Sequence, residues 1–232
     1  KVLHARMDAA IDAELDAAVA AAGAARGGGG RPVDLFSTLS RCTTRAGLVA
    51  LAGPRHAAAH GAAAERGVHD WPAVVWSLPA IFATSTVRSV RRRATARHAA
   101  AVDPLTATVR RAMHGVAPAE AHTLLAHLLD AVACEGLTAA VTPTQVASYL
   151  YGSLVGAHVN LHATAAWAVA HVATEADLTA AAVAEVDAVL AGRRAAGAGP
   201  PWTPAATGLP VLEGVVAEAR RLYYTSPSVR FV

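Results

Sequence analysis

Aromatic residues are scarce in this chain of 232 residues, although the chain is strongly apolar. Phe, Trp and Tyr together make up 5% of the sequence, whereas hydrophobic residues make up 54%, and much of that fraction is alanine. Alanine has the highest helix propensity and suits closely packed helices, while β-rich folds need aromatic and β-branched residues. The composition therefore predicts a mainly α-helical protein.

Cysteine is also rare, because only Cys42 and Cys134 are present and they lie far apart in the sequence. Two such residues exclude a disulfide framework and a Cys-x-x-Cys metal site. We expect both thiols to be reduced and buried, as in an intracellular protein.

Positive charge is present but not extended. The formal net charge is +3 and the pI is near 9.2, yet residues 88–97 form the single arginine cluster of the sequence. Nucleic-acid surfaces combine basic side chains with stacking aromatic residues, and no aromatic residue interrupts this cluster. We therefore expect no nucleic-acid partner, and interpret the cluster as a solvated helix face or one that attracts an acidic partner.

The length allows one large domain or two small ones, and we predict a single domain over residues 1–232. Apolar spacing, capping residues and glycine or proline stops predict helices over most of it. The predicted helices cover 4–23, 33–53, 87–114 with a break or kink near Pro104, 119–136, 142–174, 178–192 and 209–222. An irregular apolar segment is predicted at 70–82, a loop at 197–208 and a strand-like tail at 223–232.

The segment that follows Thr142 contains no Asp, Glu, Lys or Arg until Glu175. Thr142 is a typical N-cap residue, and Pro143 suits the first helical turn. A helix of roughly thirty residues spans about 45 Å, which is enough to cross a large domain. A transmembrane span is the alternative, but the Ala, Gly, Ser, His and Asn content gives poor insertion signals. We expect a buried central helix and no membrane span.

Two histidines lie inside this charge-free segment. His158 and His162 are four residues apart, as in the His-Glu-x-x-His zinc motif, but Val159, Asn160 and Leu161 stand between them and the glutamate base is missing. We therefore predict no metal site here and expect each histidine to be a hydrogen-bonded core residue.

Glu218 and Arg221 are three residues apart on a predicted helix, a spacing that is common for surface ion pairs. Their context is more specific. The stretch "GLPVLEGVVAEARRLYYTSPSVR" has a leucine-proline start, a Glu-x-x-Arg and a following leucine, and it resembles the K-helix region of the cytochrome P450 superfamily. The charge-free helix then falls where that family has its I helix, which passes over the haem. The resemblance covers most of the chain in order.

The resemblance implies a mainly α, P450-like fold with a long central I helix and haem b as cofactor. Aligned on Trp167, "GAHVN" corresponds to the family's oxygen-binding stretch. Gly156 and Ala157 supply the small residues that let a flat macrocycle approach the helix. Val159 and Asn160 stand where the family has an acid and a threonine that relay protons, so these two positions are the expected catalytic ones and their relay is in doubt.

Further residues follow from the same resemblance. His158 and Ser226 are expected to line the substrate pocket, and Arg230 corresponds to an arginine that pairs with a haem propionate. Asn160 together with "LYYTSPSVR" is similar to the prostacyclin synthase and bile-acid sterol hydroxylase branch, which includes an isomerase as well as oxygenases.

One part of the family pattern is missing from the chain. The cysteine that ligates the iron lies, in the family, beyond the K helix in a Phe-x-x-Gly-x-x-x-Cys-x-Gly loop, and neither Cys42 nor Cys134 lies in such a loop. We expect the ligand beyond Val232 and a chain that corresponds to the middle of the fold. Without thiolate ligation this segment alone is expected to be inactive.

Three functional hypotheses follow. The first is a cytoplasmic haem-thiolate monooxygenase that oxidises a hydrophobic small molecule such as a terpenoid, sterol or polyketide, with a ferredoxin or flavoprotein as redox partner. The second keeps the fold but not oxygen activation, and is an isomerase or dehydratase suggested by Val159 and Asn160. The third is a non-catalytic helical binding module.

Overall fold

The computed structural model describes residues 2–23, 32–75, 85–195 and 208–223. These residues form eight α-helices and no strand, which confirms the prediction of a mainly α protein. The helices are α1 (Val2–Gly23), α2 (Leu35–Ala52), α3 (Pro54–Val75), α4 (Ser85–Met113), α5 (Leu124–Cys134), α6 (Pro143–Thr174), α7 (Ala176–Ala195) and α8 (Pro210–Tyr223). The predicted loop at 197–207 and the strand-like tail from residue 224 lie outside the described residues.

The junction between α2 and α3 is a single glycine. Gly53 has a φ of +98° and its N–H bonds the Leu48 and Val49 carbonyls, which ends α2 where the Gly-Pro pair predicted. α3 itself was not predicted. Its backbone continues through Pro72 to Val75, so the irregular segment predicted from residue 70 is wrong up to that point. The alanine-rich first half of α3 favours a helix strongly, and one proline removes only one of its hydrogen bonds. Residues 76–84 lie outside the description.

Two further boundaries differ from the prediction. α4 is a continuous helix through Pro104, where we had placed a break or kink, and the Thr108 hydroxyl donates to the Pro104 carbonyl at 3.0 Å. α5 begins at Leu124 and not at residue 119, because Thr123 caps it by accepting from the Ala126 N–H at 3.2 Å.

The long α6 begins as predicted. Thr142 and Gln145 form a capping box, Pro143 occupies the first turn, and 32 residues follow without interruption. At 1.5 Å per residue the helix is about 48 Å long. Among the described helices none is long and apolar enough to cross a membrane, in agreement with the expectation of no membrane span.

The core consists of two unequal clusters that share α6. The main cluster joins α2, α3, α4 and α5 to the first half of α6, and its most deeply buried side chains are Val68, Leu105, Val109, Leu125, Leu150, Tyr151 and Leu154. The smaller cluster joins the second half of α6 to α7 and α8 through Ala168, Val172, Leu178, Val215 and Ala219. α6 is therefore the element on which both halves of the fold are built.

α1 lies against α2 and has no fully buried residue. Met7 and Ala10 pack on the main cluster, whereas the later members of its predicted apolar stripe, Leu15 and Val19, are exposed. Glu14 holds the helix in place electrostatically, with its carboxylate 3.3 Å from Nε of Arg41 and 3.2 Å from Nε of Arg45.

The two cysteines are in different surroundings. Cys42 is buried in α2, as expected, and burial raises the pKa of its thiol. Cys134 is exposed at the end of α5, so the expectation that both are buried is wrong for Cys134. Its position in the last turn of a helix that packs through its other face explains the exposure.

Candidate functional site

One face of α6 is open along the middle of the helix. Residues three or four apart share a face of a helix, and the exposed residues of α6 follow that spacing. They are Tyr149, Gly152, Gly156, Ala157 and Asn160, which we call the open face. A Cβ added to Gly152 or Gly156 would meet nothing within 4 Å. The open face is thus a shallow surface of small side chains on a helix whose opposite side is packed into the core.

Asn160 lies on the open face and is held by its own helix. Its Nδ2 donates to the Gly156 carbonyl at 3.1 Å, and the Thr164 hydroxyl donates to the Asn160 carbonyl at 2.7 Å. Within the described residues Oδ1 has no hydrogen-bond partner, so the acceptor end of the amide is available to a ligand or water. The side chain of Val159 lies outside the described part of the chain.

His158 does not share this face. It is two residues from Asn160, which turns its side chain about 200° around the helix and toward α2. It is 3% exposed, with Nδ1 3.0 Å from Oγ1 of Thr43 and 3.2 Å from Oγ1 of Thr44, and with Nε2 3.5 Å from Oγ of Ser40. The histidine predicted to line a pocket together with Asn160 is placed behind the helix, where it joins α6 to α2.

The contacts of His158 assign its tautomer. The Thr43 hydroxyl donates to the carbonyls of Leu39 and Ser40, at 3.0 and 3.1 Å, so its oxygen accepts from the imidazole. We therefore assign the proton to Nδ1, which leaves Nε2 to accept from Ser40. Burial, reinforced by the neighbouring His162 and His69, lowers the pKa of His158 to about 4. The side chain is neutral in the folded protein at neutral pH.

His162 continues this arrangement one turn along the helix. Its Nδ1 donates to the His158 carbonyl at 2.6 Å, and the two rings stack with centroids 4.2 Å apart. The ring of Phe36 meets its edge at 4.7 Å. Both histidines are thus satisfied by packing and hydrogen bonds between α2 and α6.

Glu218 and Arg221 form a bidentate pair on α8. Nε of Arg221 is 2.8 Å from Oε2 of Glu218, and Nη2 is 2.5 Å from Oε1. The hydrogen bond from Arg221 lowers the pKa of the Glu218 carboxyl, and the same bond raises the pKa of Arg221. Both side chains are more than half exposed, so the pair contributes little to the stability of the described chain. It presents a planar charged group on the side of α8 opposite Val215 and Ala219.

Some predicted residues cannot be placed. Ser226 and Arg230 lie outside the described residues. In the described ranges there is no group of three or more His, Cys, Asp or Glu side chains positioned to hold a metal ion. Cys42 and Cys134 belong to α2 and α5, away from the open face of α6.

A second feature was not anticipated from the sequence. A cavity of about 280 Å³ lies where the start of α3 meets the last turns of α4 and the segment before α5. Its polar lining residues are Arg55, His56, His60, Thr108, Arg111 and Glu120. The spacing of His56 and His60 by one helical turn was a usable signal, but the other members come from distant parts of the sequence.

Comparison with known proteins identifies no relative: no protein-family model, no curated protein and no solved structure matches the chain. A function for the chain is therefore argued from its own residues and their geometry.

Proposed function

We propose that this chain is the central part of a haem-thiolate monooxygenase of the P450 type, which oxidises a hydrophobic small molecule such as a terpenoid, sterol or polyketide. The observation that carries the proposal is the open face of α6. A long helix is buried on one side and presents Gly152, Gly156, Ala157 and Asn160 on the other, with no charged residue in between. Its neighbour α8 carries the Glu-x-x-Arg pair.

The open face fits the flat side of a porphyrin. A macrocycle packs against a helix only where side chains are short, and the two glycines leave the backbone accessible at consecutive turns. Bound haem would supply the redox chemistry. The described residues do not include a thiolate on this face, so the iron ligand of the proposed enzyme comes from outside them.

Asn160 would orient a polar group at the centre of the open face. Because Nδ2 is engaged by the Gly156 carbonyl, Oδ1 is the atom presented outward. A hydroxyl both donates and accepts at one atom and can pass a proton along, whereas an amide oxygen only accepts. Asn160 therefore holds a water or a substrate hydroxyl more readily than it relays protons.

The Glu218–Arg221 pair would position a neighbouring segment of the protein. The two bidentate bonds use one edge of the guanidinium, and its remaining N–H groups point away from the carboxylate. Such a rigid, exposed pair is suited to accept backbone carbonyls from a loop packed against α8. We propose this role in place of a direct role in catalysis.

The test is spectroscopic and uses the natural protein that contains this chain. We expect it to bind haem and, when reduced under carbon monoxide, to show the red-shifted Soret band of a thiolate-ligated iron. We further expect incorporation of labelled oxygen from O₂ into a hydrophobic substrate. Absence of haem, or a reduced spectrum without thiolate character, would overturn the proposal.

A matched pair of variants tests the open face itself. Gly156→Leu places a side chain where the macrocycle would lie, and Gly192→Leu introduces the same change at another glycine with nothing within 4 Å. Neither variant meets a clash in the described chain, so both should fold. We expect Gly156→Leu to lose most of its haem and Gly192→Leu to retain it; equal haem contents would contradict the assignment of this face.

The amide chemistry of Asn160 favours one alternative, an isomerase or dehydratase of the same fold that does not activate oxygen. The variant Asn160→Thr separates the two functions, because it restores a hydroxyl at this position. In a monooxygenase, we expect the ratio of product formed to NAD(P)H consumed to rise. In an isomerase, product forms without NAD(P)H in the natural protein, and the substitution lowers or preserves that rate.

A further inference from the structure

The cavity at the start of α3 has a charged end and an apolar end. Arg55, His60 and Arg111 line one part of it, whereas Ala112, Pro118 and Leu125 line another. Its volume of about 280 Å³ is several times the roughly 30 Å³ that a water molecule occupies in the liquid. No residue of α6 lines the cavity, so it is separate from the open face.

The charged end carries a positive excess. Neither Arg55 nor Arg111 forms an ion pair with a carboxylate in the described part of the chain. The acidic lining residue, Glu120, is already engaged, because its Oε1 accepts from the backbone N–H of Arg55 at 3.1 Å and caps α3. Two guanidinium groups thus border one cavity without a partner for their charge.

His56 adds a hydrogen-bond acceptor to this basic end. It is 6% exposed, and its Nδ1 lies 3.1 Å from Oγ1 of Thr108. The Thr108 hydroxyl donates to the Pro104 carbonyl at 3.0 Å, so its oxygen accepts and the imidazole proton resides on Nδ1. Nε2 is then an acceptor, and among the described residues it has no donor.

From these features we propose that the cavity is a binding site for a small phosphomonoester. The ligand that fits must accept from two guanidinium groups and donate to the nitrogen of His56. A singly protonated phosphate does both, whereas an ionised carboxylate or sulfate has no proton to donate. The apolar end receives the organic group of the ester, for which inorganic phosphate has no counterpart.

The experiment compares four ligands on the natural protein by titration calorimetry at physiological ionic strength. Phenyl phosphate has both the protonated head and an apolar body, inorganic phosphate lacks the body, and phenyl sulfate and sulfate lack the proton. We expect affinity to fall in the order phenyl phosphate, inorganic phosphate, sulfate, and phenyl phosphate to bind about tenfold more tightly than phenyl sulfate. Failure of phenyl phosphate to bind, or equal binding of phenyl sulfate, overturns the proposal.

Variants locate the binding. Arg111→Gln removes a guanidinium that lines the cavity, and Arg110→Gln removes its exposed neighbour, which does not. We expect Arg111→Gln to weaken phenyl phosphate about tenfold and Arg110→Gln to leave it nearly unchanged. Equal effects of the two variants would show that the ligand is bound by surface charge and overturn the site.

A third variant tests the role of His56. His56→Gln is expected to abolish the preference for phosphate over sulfate while weak binding of both persists. Because His56 is buried and this variant is at risk of misfolding, the two arginine variants carry the test if it does not fold. Haem content is measured in parallel, since the phosphate site and the open face share no residue and can fail independently.

Discussion

His158 is a polar side chain in the interior of an apolar fold, and its surroundings explain why it is tolerated. Three hydroxyl groups of α2 surround the imidazole, so each ring nitrogen is hydrogen-bonded although the residue is almost fully buried. The cost of burying a polar group is thereby offset. The arrangement is satisfied only by the neutral ring, because Nε2 must accept from Ser40.

We predict that His158 makes the protein less stable in mild acid. Its pKa is about 4 in the folded protein, against about 6.5 in an unfolded chain, so between these values the unfolded state binds more protons. The stabilisation is complete above pH 6.5 and is lost as the pH falls toward 4. Replacing His158 with Gln keeps a hydrogen-bonding side chain but removes the titration. The free energy of unfolding should then fall less steeply with pH, by up to about 1.4 kcal/mol per pH unit.

The measurement is urea unfolding at pH 7, 6 and 5. His127→Gln is the control, because His127 is exposed on α5. His56 also has a lowered pKa, of about 4, so the His158 variant should retain part of the acid sensitivity. An unchanged pH dependence in His158→Gln would show that the imidazole is not held neutral.

At the scale of the helices, close packing depends on particular glycines. A Cβ added to Gly67 of α3 would lie 2.6 Å from Oη of Tyr151 and 2.9 Å from Cβ of Ala101. These two residues belong to α6 and α4, so three helices approach one another at this point. The absence of a side chain at residue 67 sets how closely they pack.

We predict opposite effects of the same substitution at two helical glycines. Gly67→Ala should destabilise the protein by about 1–3 kcal/mol, because overpacking outweighs the gain in helix propensity. Gly152→Ala, which meets nothing within 4 Å, should stabilise it by about 0.5–1 kcal/mol. The midpoints of denaturant unfolding measure both. Changes of the same sign would contradict the packing at Gly67.

The elements that were predicted well are those whose ends are marked locally. Gly53, the Thr142 capping box and Pro210 each fix a boundary within a few residues, and helical spacing alone put Gly156 and Asn160 on one face. Which face of α6 points outward depends on the packing of the other helices, so the opposite orientation of His158 was not predictable. The phosphate cavity was missed for the same reason, since it is formed by segments more than fifty residues apart.

At the scale of the whole molecule, α7 and α8 are attached more weakly than the other helices of the core. They contact α6 through the smaller cluster, in which alanine and valine predominate. One polar contact reinforces it, because the Glu185 carboxylate of α7 accepts from the N–H groups of Val211 and Leu212 at 2.8 and 3.1 Å. This side chain from one helix supplies the N-terminal cap of the next.

We predict that α7 and α8 open before the main cluster does. In native-state hydrogen exchange, the amides of α8 should exchange faster than the central amides of α3 and of the first half of α6. Glu185→Ala should accelerate exchange in α8 about fivefold, which corresponds to a lost cap of about 1 kcal/mol, and leave α3 unchanged. Asp187→Ala, an exposed change two residues away, is the control. Uniform acceleration throughout the chain would show that the molecule opens as one unit.

The single-residue junctions at Gly53 and Glu175 have a consequence for the order of assembly. Helices joined so tightly meet their sequence neighbours almost as soon as they form, and such local pairing is fast. The docking of α2 onto α6 is different, since the Thr43–His158 contact joins residues 115 apart and requires a large loop to close. We expect this closure to limit the folding rate, so that the central helix reaches its final partner last.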